Sequence, residues 1–157
     1  MKKLLILSTF CLALIAIQSC TKDDDDDNGD TSKTKEVLLT QHTWKMEEIL
    51  QVENNTRIYY SRGGSMNTNN YDNDKITFLA DGTGTYSPTV AQTLPITWAF
   101  TNAEKTSLGI VIKFGPNSNT SLACSQLLLT ETKFFCVTYF QNGSSQPVLG
   151  SVTRTPL

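Results

Sequence analysis

At 157 residues the chain has room for one hydrophobic core but not for several large domains. Thirteen basic against fifteen acidic side chains give a formal charge of −2, which leaves no surface basic enough to hold nucleic acid. Only two of the four cysteines, Cys124 and Cys136, stand beyond residue 20, and with a single histidine they are too few for a disulfide scaffold or a zinc framework.

The chain opens with Met1-Lys2-Lys3 and then runs apolar from Leu4 to Ile17, broken only by Ser8 and Thr9. That is the layout of a secretory signal peptide, and it falls short of the roughly 20 apolar residues that a membrane-spanning helix needs. Residues 1–19 are therefore read as a signal peptide, with Cys20 as the first residue of the mature chain. Ile17-Gln18-Ser19-Cys20 resembles the lipobox of bacterial lipoproteins, with Gln18 departing from the usual small residue in its middle. The resemblance implies lipid on Cys20, and two or more acyl chains on one residue hold a protein stably to a membrane. Asp23 to Asp27 follow directly and repel one another, so residues 20–35 read as a lipidated acidic linker. With Lys22 the run resembles the export signal of surface lipoproteins of the Bacteroidetes. This implies a lipid-anchored, surface-exposed protein of the outer membrane.

Residues 36–157 are expected to form one domain, in which eight basic and nine acidic side chains leave a net charge of −1. Glu36 to Gln41 reads as a short helix capped by Ser32 or Thr34. Trp44 to Glu53 and Arg57 to Ser61 form a first hairpin turning at Asn54-Asn55, followed by a polar loop, Arg62 to Asn73, with little to pack. Period-two alternation then takes over at Ile76 and Phe78, at Ile96, Trp98 and Phe100, and at Leu108, Ile110, Ile112 and Phe114. Leu122 to Leu129 and Phe134 to Phe140 make another hairpin, and Val148 to Thr153 closes the chain after Asn142-Gly143. Turn signals at this spacing, with no helix long enough for a parallel crossover, predict an all-β antiparallel up-and-down meander. At one turn the register itself is predicted. A loop of Ala80, Asp81 and left-handed Gly82 sets Ile76 opposite Tyr86 and Phe78 opposite Gly84, where the missing side chain leaves room for the phenyl ring.

A short helix, a tryptophan opening the first strand, and a meander containing Phe-Leu-Ala-Asp-Gly-Thr-Gly-Thr and Ile-Thr-Trp-Ala-Phe resemble the lipocalin-like domains of Bacteroidetes surface lipoproteins. His42-Thr43-Trp44 lacks the glycine that lipocalins carry two residues before this tryptophan. The resemblance implies a small closed barrel whose end is shut by Trp44 under Arg154, joined by a cation–π contact. It also implies a cup for one apolar ligand, lined by Phe78, Tyr86, Trp98, Phe100, Ile110 and Ile112. The same side chains would equally fill an ordinary core. Cys124 and Cys136 flank the turn Thr130 to Lys133, and a tight turn there does not set them directly opposite. A disulfide and two buried thiols both remain open.

The search for chemistry returns no catalytic residue, no metal site and no cofactor, so the chain is not expected to be an enzyme. His42 stands alone and reads as a capping or surface residue. Asp72-Asn73-Asp74 lacks the glycine and glutamate of a calcium loop and reads as a turn. Glu47 and Glu48 are neighbours on a strand and so point to opposite faces. Two functions follow as expectations. One is a surface-tethered module binding a small apolar ligand or other extracellular partner. The other is an accessory subunit of an envelope protein complex, with a filled core and no small-molecule ligand. Neither indicates an oligomeric state.

Overall fold

A computed structural model describes residues 33–53, 56–140 and 148–157. The expected signal peptide, Cys20, nearly all of the expected acidic linker, and the turns expected at Asn54-Asn55 and Asn142-Gly143 lie outside the described residues. The described residues form one short helix and nine strands: α1 Lys35–Thr40, β1 Thr43–Glu53, β2 Thr56–Ser61, β3 Lys75–Phe78, β4 Thr83–Thr89, β5 Gln92–Phe100, β6 Leu108–Gly115, β7 Ser118–Leu129, β8 Phe134–Phe140 and β9 Val148–Pro156. Every pairing is antiparallel, each strand from β3 to β8 pairs with the next, and β9 returns to β1 along Trp44 to Val52. The result is a closed barrel of eight strands with β2 as an appended ninth.

The length of β1 makes this possible. One edge pairs with β9 along most of its length, while the other is divided between β3, at Thr43 to Lys45, and β2, at Glu48 to Glu53. Closure leaves the eight strands of the ring without the unpaired edges that would otherwise invite aggregation, and β2 alone stands outside it among the described strands. A bulge between Met46 and Glu48 lets Met46 and Ile49, three residues apart, both enter the core. Strict alternation therefore fails at Glu47 and Glu48, which are half-buried and exposed.

Thr34 caps α1, its hydroxyl accepting from Val37 N at 3.3 Å. The helix touches β3 and β7, which stand four strands apart in the ring, so it lies across one end of the barrel. Leu39 faces inward from it, and the Trp44 indole donates to Leu39 O at 2.8 Å. Beneath the helix, Trp44 packs on Phe134, and Phe134 stacks on Phe78 at 6.1 Å between ring centroids.

The β3–β4 turn has the expected register, with Ile76 opposite Tyr86 and Phe78 opposite Gly84. Gly82 is left-handed, at φ +82°. The reason for glycine at position 84 differs from the expected one. A Cβ there would strike Thr77 O and come within 3.1 Å of Ile96 in β5.

Candidate functional site

The alternation that builds the strands turns one face of each inward, yet these faces do not fill the barrel. A cavity of about 250 Å³ remains. Its wall is largely aliphatic and aromatic, from Phe78 and Phe134 near the helical end, through Met46, Ile49, Ile76, Ile110, Ile112, Leu122 and Val152, to Phe114 towards the other end. Polar atoms enter from Gln51, Tyr71, Tyr86, Thr120, Thr138 and Arg154, and thiols from Cys124 and Cys136.

Of the six lining residues expected, Phe78, Tyr86, Ile110 and Ile112 face this cavity. Trp98 and Phe100 do not line it. They sit on the last residues of β5 and pack against one another at 5.8 Å, with Trp98 edge-on to Phe78. The Trp98 indole is taken up by the β3–β4 turn, donating to Leu79 O at 3.0 Å and Thr83 O at 2.9 Å. The two rings close the core beside the turn.

Arg154 is buried, but the expected stacking on the Trp44 ring is replaced by polar contacts. Its Nη1 donates to the backbone carbonyl of Trp44 at 3.3 Å, and its Nη2 lies 2.7 Å from Asp74 Oδ1. The cation–π contacts among the described residues belong to Lys105 over Phe100 and Lys133 over Phe135. A guanidinium buried inside a barrel gains more from a carboxylate than from a ring face, because a buried charge needs a counter-charge.

Asp74 is the residue that sequence reasoning missed. It is 1% exposed, and its Oδ2 accepts from the Tyr86 hydroxyl at 2.6 Å. Burial, followed by the charge of Asp74, pushes the Tyr86 phenol well above its ordinary value, so it remains a donor. The backbone holds Asp74 firmly: its N–H donates to Tyr71 O at 3.0 Å, and its carbonyl accepts from Met46 N at 2.9 Å. A signal was present in the chain. Asp74, Ile76 and Phe78 are spaced by two, so an inward Ile76 implies an inward Asp74.

The loop before Asp74 also packs more than its composition suggested. Tyr71 stands edge-on to Tyr60 at 5.5 Å and lines the cavity. Arg62 ties the loop down, its Nε donating to Met46 O at 2.9 Å and its Nη1 to Asp72 O at 3.1 Å. The Tyr60 hydroxyl donates to Asp72 Oδ1 at 2.7 Å, and burial together with this bond pushes the phenol up to about 12.

Cys124 and Cys136 are free, buried thiols. Cys124 faces Thr138, and Cys136 lies two residues along β8, so the pair is diagonal on the inner face. The two thiols influence one another: the neighbouring Cys136 lowers the Cys124 thiol, while Cys124 and burial raise that of Cys136. His42 is half-buried with its ring edge-on to Trp44 at 5.6 Å. Glu47 lies 3.6 Å from Arg62 Nε, on the outside of the bulge. No three of the histidine, cysteine, aspartate and glutamate side chains among the described residues come together as a metal site. No family model matches the chain, and neither a curated protein nor a solved structure matches it.

Proposed function

We propose that this chain is a lipid-anchored, extracytoplasmic lipoprotein whose lipocalin-like barrel binds a small apolar ligand. The observation that carries the reading is the 250 Å³ cavity. At about 24 cal/mol for each Å³ of void, a cavity of that size costs on the order of 6 kcal/mol against a filled core. A cost of that order is comparable with the whole stability of a small domain, and a bound ligand would offset it. The volume exceeds that of a cavity of about 150 Å³ known to admit benzene, and falls below the range of about 300–1,000 Å³ typical of drug-sized ligands. A compact ligand of one or two rings, or a short branched chain, fits this range.

The reading is tested by titrating the barrel with aminoanthracene, a compact fluorescent aromatic. Saturable binding of one molecule per chain supports it, and fluorescence that rises without saturation overturns it. The anchor is tested separately by radiolabelled palmitate, which is expected to enter the wild-type protein and not the Cys20→Ala variant. The accessory-subunit reading draws on another observation. Val52 and Leu149 are cross-strand partners on β1 and β9, and both are about half exposed, at 52% and 51%. A partner protein co-purifying with the wild type and lost from a Val52→Ser/Leu149→Ser variant would favour it.

A further inference from the structure

We propose that Cys124 and Cys136 form a binding site inside the barrel for one soft monovalent metal ion of the copper(I) kind. Both side chains are buried, both are free, and both face the same largely apolar cavity. Their placement decides what can join them. The two are not directly opposite, since Cys124 faces Thr138 and Cys136 lies two residues along β8, and both are free thiols. The irregularity in β7 between Ser125 and Leu128, where Gln126 is left-handed at φ +51°, lies beside the pair and holds this offset. A bridging ion has the longer reach. With metal–sulfur bonds of about 2.3 Å, the zinc–thiolate length, two sulfurs can stand nearly twice that distance apart.

The donor set selects the ion. Zinc and calcium need four or more nitrogen, sulfur or oxygen ligands, and no such cluster forms among the described residues. Two thiols, with the Met46 thioether on the wall of the same cavity, are donors that favour soft ions. Charge also balances for a monovalent ion. The S–H bond of Cys124 breaks, its proton leaves to solvent, and a copper–sulfur bond forms with no transfer of electrons. The thiolate then neutralises the ion while Cys136 serves as an uncharged donor, so the buried pair gains no net charge, and Arg154 keeps its partner Asp74. This inference does not depend on an organic ligand in the cavity.

The experiment uses the full chain, reduced and held without oxygen, competing with bathocuproine disulfonate for copper(I). The expected result is one ion withdrawn per chain. Alkylation with N-ethylmaleimide followed by peptide mapping should then find Cys124 and Cys136 modified more slowly in the ion-loaded protein than in the ion-free protein. Cys124→Ala and Cys136→Ala are each expected to lose the ion to the competitor. The proposal is overturned if wild-type protein withdraws no copper(I), if Cys124 and Cys136 are alkylated as fast with the ion as without it, or if the double alanine variant binds undiminished. The wild-type mapping decides the matter should the alanine variants fail to fold.

Discussion

Arg154 and Asp74 come from the last strand and from the residue before β3, and they meet where neither could stand alone. Removing one member of a buried ion pair typically costs about 3–5 kcal/mol, because the other charge is left without compensation. Asp74→Asn and Arg154→Met are each expected to destabilise the barrel by about that amount, whereas the double variant should lose clearly less than the sum. A double-mutant cycle in urea measures this directly. A stacked arginine would instead couple to the Trp44 ring, and Trp44→Phe keeps the backbone carbonyl that Arg154 uses. Coupling is therefore expected between positions 154 and 74, with little between 154 and the indole. Additive losses for the Asp74 and Arg154 variants would remove the pair from the account.

Strand register at the β3–β4 hairpin depends on two glycines that do different work. Gly82 takes a left-handed conformation, which costs a residue with a Cβ about 1–2 kcal/mol, and its added carbon would stand 3.3 Å from Trp98 O. Gly84 has an ordinary backbone but no space, since Thr77 O occupies the place of a Cβ. Gly84→Ala should thus destabilise more than Gly82→Ala, with thermal unfolding as the measure; the reverse order would mean that strain in the turn outweighs crowding in the sheet. This hairpin was legible because Asp81-Gly82 and the alternation on either side are local signals. Asp81 strengthens the turn further, accepting from Thr83 N at 2.9 Å and from the Thr83 hydroxyl at 2.6 Å, which holds its carboxyl below the usual range. What remained hidden at this scale were the irregularities. The bulge beside Glu47 follows from β1 having to serve β2, β3 and β9 together, a demand made by partners remote in the chain. Tyr71 looked idle for a related reason. Its packing depends on Arg62 and Asp72 drawing a polar loop over the barrel, and no short-range pattern announces that.

For the molecule as a whole, alternation tells which side chains turn inward but not whether they meet. That depends on strand number and stagger, which set the barrel's width, and an eight-stranded barrel stands at the boundary between a filled interior and one with room for a single ligand. Four of the six expected lining residues do face the cavity, while Trp98 and Phe100 stop short because β5 carries them beyond it to the closed end. The thiol pair was equally beyond local reading, since its diagonal placement depends on the irregularity at Gln126. The boundary position also yields a test. Leu122 lies on the cavity wall and packs against the core, so Leu122→Phe pushes a ring into vacant space. If the cavity is kept open for a ligand, filling it should raise stability by about 0.5–2 kcal/mol and abolish the binding of aminoanthracene. Urea denaturation and the fluorescence titration, run on the same preparation, read the two effects together. A gain in stability with binding unchanged would place the ligand elsewhere, and a loss of about 1–3 kcal/mol would mark the site as already packed.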